Sequence, residues 1–559
     1  MLDAKNNIAV HLPAMAATQP DALAVAIQGC SAATQLYVYK ELTAQELDEE
    51  SNRLAHGLEK EGITKGTRAV LMVKPSAEFF VLTFALFKVG AIPVMVDPGM
   101  GVRNLKKCLA EAAPQAFVGI TKAHIARLLL GWGRESIHMN VNVGPWLPLS
   151  GPTYKSIRSD DDSAVMAAVE SDDLAAILFT SGSTGIPKGV EYTHAIFNAQ
   201  VESLRENYGI EPGERDLATF PLFALFGPAL GMASIVPEMD ASKPITANPT
   251  HLITAMHDYE TTNLFASPAL IEKVGQYGQA HNTELPSLRR VISAGAPAEP
   301  ESLARFSGML AEGVSIFPSY GATESLPVTR ISHQELIADT RELTNTGSGI
   351  CIGRALGGLD VRIVRITDDP IETWSNDLEV APGEIGEISV SGDIVTRTYY
   401  ERKDATALAK IVTEDGDSFY HRMGDLGYID EQERIWFCGR KAHRVQGTER
   451  VWYTIPCERV LNVHPHVKRT ALVGVEHDGE MKPVVCVELE RKSSEGFAFD
   501  EDKSELAQIA IQLSKRAAEF EVTRGITTFL EHPGFPMDVR HNAKIFREKL
   551  AVWAQGKLS

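Results

Sequence analysis

Apolar positions along the chain switch between helical spacing and short continuous runs, and this alternation predicts an α/β protein. Leu47, Leu54 and Leu58 share a helical face behind Thr43 and Glu46, a Thr-x-x-Glu pair suited to cap a helix start. Residues 68–73 read as a strand, 78–89 as a buried helix and 91–96 as the next strand, with Asp97-Pro98-Gly99 as its turn. The polar stretch 159–173, acidic at both ends, reads as a surface connection into 175–179, an apolar run expected to be a buried strand. Past Gly439-Arg440, residues 470–475 and 484–489 read as strands, followed by a helix carrying Leu506, Ile509, Leu513, Ala517 and Phe520. The pattern predicts a large layered α/β region over residues 1–440 and a small α+β domain over 441–559.

The length of 559 residues and an apolar content of 44% suffice for several subdomain cores. The net charge of -19 disfavours nucleic acid as a partner, so any anion must be caught locally. Six cysteines (Cys30, Cys108, Cys351, Cys438, Cys457, Cys486) show no Cys-x-x-Cys or zinc spacing and are expected as reduced, mostly buried thiols in a cytoplasmic protein. No leader is expected at the N-terminus, and the most apolar stretch, 79–96, is interrupted by Lys88, Gly90 and Pro93, so no membrane span is expected.

The candidate chemistry centres on residues 180–189, Thr180-Ser181-Gly182-Ser183-Thr184-Gly185-Ile186-Pro187-Lys188-Gly189. Glycines let the backbone approach an anion, the hydroxyls donate, and Lys188 brings a mobile charge, so the expected ligand is the polyphosphate of ATP. It is not a Walker loop, because Gly189 follows Lys188 where Ser or Thr is required. The competing reading is a flexible Gly/Ser surface loop. Ser319-Tyr320-Gly321-Ala322-Thr323-Glu324 places an aromatic face, a hydroxyl and a carboxylate together, fit for a base, a phosphate and Mg2+. Asp425, between Gly424 and Gly427, could accept from both hydroxyls of a ribose, although an Asp in a turn is more often a structural cap. Arg440 adds a fixed charge, and Lys544 adds a cation that taken alone reads as a solvated surface residue.

In this order and spacing the segments resemble the adenylate-forming superfamily of acyl-CoA synthetases, luciferases and peptide synthetase adenylation domains, over nearly the whole chain. The resemblance implies that residues 181–188 grip the β and γ phosphates, that Gly295, Ala296, Pro297 and Tyr320 hold adenine, and that Thr323 holds the α-phosphate. It further implies Glu324 and Thr184 on Mg2+, Asp425 and Arg440 on ribose, and Lys544 reaching from a mobile small domain to the reacting groups.

Four departures bear on the acceptor. Pro221-Leu222-Phe223 is followed by Ala224 where acyl-CoA synthetases usually have His, Ala442 occupies the charged hinge position, Gln446-Gly447-Thr448 leads late to Pro456-Cys457-Glu458, and Ala543 precedes Lys544. These departures, with Phe220–Gly231, Tyr320–Pro327, Trp436–Lys441 and Arg540–Lys544, are similar to those of olefin β-lactone synthetases. That family adenylates a 2-alkyl-3-hydroxy fatty acid and lets its own hydroxyl displace AMP, alongside a β-lactone decarboxylase and an NAD(P)H-dependent reductase. Phe220, Phe223, Phe226 and Phe265 are then candidates for the alkyl pocket, with core packing as the competing reading. The alternatives are a fatty acyl-CoA or acyl-AMP ligase and a non-enzymatic nucleotide-binding scaffold; so greasy a substrate would also call for channelling or contact with a membrane surface.

Overall fold

A computed structural model of the protein describes residues 3–30, 36–180, 187–220, 226–490, 503–537 and 545–558. Two large sheets and one small one organise these residues. In the six-stranded sheet, five parallel strands run in the order Met139–Val143, Ala116–Ile120, Arg68–Met72, Ile92–Val96 and Leu174–Thr180, and Lys188–Thr193 closes the edge antiparallel. The second sheet has fourteen described strands, with a parallel centre built from Leu23–Cys30, Ala233–Val236, Arg215–Ala218, Asn263–Ala266, Arg290–Ser293 and Ser315–Ala322. From Ser325–Arg330 onward its strands are antiparallel, ending with Phe419–Ile429 and Ile435–Arg440. The smaller C-terminal part is the three-stranded sheet Val467–His477, Glu480–Leu489 and Thr528–Glu531 with helices Thr454–Asn462, Lys503–Glu519 and Arg547–Leu558.

Local sequence signals account for these elements. Helix Ala44–Lys60 begins with the expected capping box: Thr43 Oγ1 accepts from Glu46 N and the Glu46 carboxylate accepts from Thr43 N. Leu47, Leu54 and Leu58 are its buried face. Helix Ala77–Lys88, capped by Ser76, is buried along nearly its whole length between the sheets. Lys88, which interrupts the apolar pattern, is itself buried and donates to Asp48 Oδ1 at 2.7 Å and Asn52 Oδ1 at 2.6 Å, so its charge is compensated internally. Asp97-Pro98-Gly99 opens a short 3-10 helix, Pro98–Met100, rather than a simple turn. Five of the cysteines are buried, Cys30 is exposed, and no disulfide links the described residues. No described helix is long and apolar enough to cross a membrane.

One buried acid predicts a pH signature. Asp216, in the centre of the large sheet, accepts from the Asn263 amide, and burial pushes its carboxyl up to about 7 against the opposing effects of Asn263 and Arg290. An unfolded Asp titrates near ~4. The folded state therefore holds a proton that the unfolded state has lost, and this stabilising contribution, complete below pH ~4, disappears as pH rises to about 7. Asp216→Asn keeps an acceptor for Asn263, so its urea midpoint should gain on wild type between pH 5 and pH 8; parallel midpoints would refute this.

Candidate active site

The two described ends of the candidate loop lie at a sheet edge. Thr180 and Lys188 pair across the two strands at the edge of the six-stranded sheet, the kind of position where ligands commonly bind. Ser181, Gly182, Ser183, Thr184 and Gly185 lie outside the described residues. Lys188 is half-buried, with its ammonium 4.6 Å over the Tyr399 ring; burial lowers its pKa and Glu324 opposes that shift.

Facing this edge, Ser315–Ala322 and Ser325–Arg330 form a hairpin whose tip is Thr323-Glu324. Gly321 is required there, because a β-carbon would stand 2.7 Å from Leu326 Cδ1 and 2.8 Å from Ser325 O. The tip is held from two sides: the Thr323 carbonyl accepts from Tyr192 OH at 2.6 Å, and the Glu324 carbonyl accepts from Thr396 N at 2.9 Å. Glu324 Oε1 accepts from Tyr399 OH at 2.7 Å, and Oε2 has no hydrogen-bond partner among the described residues. Gly295, Ala296 and Pro297 follow strand Arg290–Ser293, whose end is paired beside Pro318, so they line the same strand ends as Tyr320.

Asp425 is not in a turn. It lies within strand Phe419–Ile429 directly opposite Arg440, with Arg440 Nε 3.1 Å from Asp425 Oδ1 and Tyr320 OH donating to Oδ2 at 2.7 Å. Burial pushes its carboxyl up while Arg440 opposes, and Asp425 in turn holds the Arg440 guanidinium above its usual range. Among the described residues Oδ1 is buried without a hydrogen bond beyond that ion pair, the condition for accepting from a further hydroxyl. Gly439 permits the approach of the next helix, since a β-carbon there would meet Thr454 Oγ1 at 2.2 Å.

Beneath Glu324 lies a polar group that the motifs did not disclose. Thr396 and Tyr399 grip Glu324, and the buried Lys410 ammonium donates to Thr396 O and lies 5.1 Å over the Phe419 ring. Burial pulls Lys410 down to about 7 against the effect of Glu324. In His421, also buried, burial and Lys410 push the imidazole well below its ordinary pKa, and its Nδ1 has no hydrogen-bond partner among the described residues.

The aromatic candidates separate. Phe220 and Phe265 pack together with centroids 6.4 Å apart, and Phe223 lies outside the described residues. Phe226 lines an apolar cavity of about 40 Å³ with Phe84, Phe87, Met95, Phe197 and Ala229. The Thr83 hydroxyl on its wall already donates to Phe79 O at 2.8 Å, so the cavity suits hydrocarbon better than water. Phe197 packs against Tyr192, the residue that holds Thr323.

Lys544 lies outside the described residues, but its surroundings are anchored. Ile545 bridges to Met537, Arg547 pairs with buried Glu458 at 2.7 Å, and Glu548 meets His443 at 3.0 Å. Arg459 reaches Glu299 with two bonds of 2.7 and 2.9 Å, tying helix Thr454–Asn462 to the segment that follows Pro297. Ala442 sits in a 3-10 turn whose neighbour Lys441 pairs with the buried Glu387 at 3.1 Å.

The chain matches the family of AMP-binding enzymes over residues 12–400. It is 46% identical over 554 residues to the olefin beta-lactone synthetase of Xanthomonas campestris pv. campestris, covering 98% of this chain and 97% of the relative. It is 44% identical to the olefin beta-lactone synthetase of Stenotrophomonas maltophilia, covering 99% and 98%. Among solved structures, the o-succinylbenzoate coenzyme A synthetase of Bacillus subtilis in complex with ATP and magnesium ion shares the fold with a TM-score of 0.72 at 20% identity, covering 97% of this chain and 98% of that one. A family match over most of the chain and full-length kinship thus show that the chain belongs to the AMP-binding, adenylate-forming enzymes, in the family of the olefin β-lactone synthetases.

Proposed function

We propose that the protein converts a long-chain 2-alkyl-3-hydroxy fatty acid and ATP into a β-lactone, AMP and pyrophosphate. Kinship along the whole chain to β-lactone synthetases carries this reading, and the thiol-acceptor departures at Ala224, Ala442 and Gln446-Gly447 support it. In this reading ATP lies across the strand ends. Residues 181–188 hold its β and γ phosphates, Thr323 its α-phosphate, Gly295, Ala296, Pro297 and Tyr320 its adenine, and Asp425 with Arg440 its ribose. Glu324 Oε2, unshared among the described residues, suits Mg2+, with Thr184 as the second proposed ligand; when bound the ion would neutralise phosphate charge.

The substrate carboxylate attacks the α-phosphorus and pyrophosphate leaves; two anions repel, so Lys188 and Lys544 neutralise charge as the bond forms. The 3-hydroxyl oxygen then attacks the activated carbonyl, losing its proton as AMP departs with the electron pair. Tethering removes the entropy of recruiting a second substrate and offsets part of the ring strain. Residues 441–559 act as a small domain closing over 1–440, delivering Lys544 and excluding water that would hydrolyse the adenylate. We place the enzyme in the cytoplasm, between a reductase that supplies the hydroxy acid and a decarboxylase that consumes the lactone.

Comparing the hydroxy acid with its 3-deoxy analogue without coenzyme A tests the reading. The hydroxy acid should release AMP continuously and the analogue should stop after one turnover; equal sustained turnover contradicts lactone closure. The cavity at Phe226 takes one alkyl end in this reading. Ala229→Leu, which fills it, should lower kcat/KM for long-chain acids by about 10-fold or more, the scale of a methylene misfit, while sparing short-chain ones. Equal loss for both lengths would place the alkyl arm elsewhere.

A further inference from the structure

Eighteen large apolar side chains are exposed among the described residues, and six of them fall between Ile125 and Leu149. Ile125, Leu128 and Leu129 lie at i, i+3 and i+4 on helix Thr121–Leu130 and so share one face; Leu129 is 81% exposed. The segment after strand Met139–Val143 adds Trp146, 67% exposed, and Leu149, 77% exposed. It is fixed against the helix: Thr121 Oγ1 donates to Pro145 O at 3.0 Å, Asn142 Nδ2 to Pro145 O at 2.6 Å, and Arg127 Nη2 to Leu149 O at 3.4 Å. Leu149 is presented from the left-handed region, φ 68°, which branched side chains avoid. This is an ordered apolar surface.

Its charge opposes that of the chain. Residues 101–150 hold six Lys or Arg and two Asp or Glu, in a protein of net charge -19. Arg103, Lys106, Lys107, Lys122 and Arg134 are exposed and form no ion pair among the described residues. Lys106 Nζ lies 4.0 Å from where a β-carbon on Gly131 would stand, which puts the cations of helix Val102–Ala112 at the end of the apolar helix. A second copy of the surface would bring like charges together. Single apolar side chains on a convex helix, an interfacial Trp and a cationic fringe together match an anionic bilayer surface.

We infer that helix Thr121–Leu130, the Trp146–Leu149 segment and the neighbouring Lys106 and Lys107 dock the enzyme on anionic lipid. The surface lies beside Met139–Val143, the edge strand opposite Lys188–Thr193, so docking leaves the phosphate-loop edge uncovered. The benefit, collecting a substrate that partitions into membranes, rests on the proposed function; the docking itself does not.

Flotation of the full chain with phosphatidylcholine vesicles, with and without 30 mol% phosphatidylglycerol (roughly the anionic content that sets a surface potential), tests it. Binding should require the anionic lipid, weaken in high salt, and fall roughly 10-fold or more for the double variant Lys106→Glu/Lys107→Glu and for Leu129→Asp. Adenylation of a short-chain 3-hydroxy acid should be unchanged in both variants, so failure to dock is distinguishable from failure of the catalytic reading. Absence of vesicle binding by the wild-type chain overturns the inference. So does binding unaffected by these substitutions, or a change from oligomer to monomer in Leu129→Asp without lipid dependence, which would make the surface a protein interface.

Discussion

Lys544→Ala is expected to lower adenylation by about 10²- to 10³-fold, the usual effect of removing a donor aimed at developing charge in a dry site. ATP binding should be largely preserved, because the residues proposed to hold ATP come from the large region: Tyr320, Asp425 and Arg440, which contact one another, and Lys188 on the edge strand of the six-stranded sheet. The described residues that follow Lys544 are held on the C-terminal side of Arg440, Arg547 by buried Glu458 and Glu548 by His443. Pyrophosphate exchange and ATP titration measure the two quantities separately. Equal loss of both would mean that Lys544 helps bind ATP in the ground state.

Asp425→Ala is expected to do the opposite, acting first on ATP. It removes the acceptor for Tyr320 OH, the partner of Arg440 and the buried Oδ1 proposed for ribose. A hydrogen bond to a charged group contributes about 1.5–3 kcal/mol, so ATP affinity should weaken by about 10- to 100-fold. The melting temperature should also fall, because Arg440 and Tyr320 lose their shared partner at once. Asp425→Asn, which keeps an acceptor for Tyr320, should recover stability before it recovers ATP affinity. Unchanged ATP affinity in Asp425→Ala would remove Asp425 from the ribose site.

Local rules made much of the fold legible. The Thr43–Glu46 box, the apolar face of Leu47, Leu54 and Leu58 and the run at 175–179 each depend on neighbours a few residues away, and each element formed as expected. The loop 180–189 and Tyr320–Glu324 stand out as candidates in the sequence because glycines and hydroxyls at fixed spacing have few other uses. Lys410 was not, because its role depends on folding that brings Thr396 and Glu324 to it from 14 and 86 residues away. For Asp425 the flanking glycines leave a structural turn as the competing reading; in the fold they accompany an irregular strand pairing that sets it against Arg440. Phe226 looked equivalent to Phe220 and Phe265 in sequence, and only packing separated the cavity wall from the aromatic pair.

Identifying the product by NMR, after incubating the purified protein with Mg2+, ATP and a 2-alkyl-3-hydroxy fatty acid with and without coenzyme A, tests lactone formation most directly. A β-lactone formed with AMP and pyrophosphate in the absence of the thiol is the predicted result. Acyl-CoA formed only when coenzyme A is present would contradict it and make the enzyme an acid-thiol ligase.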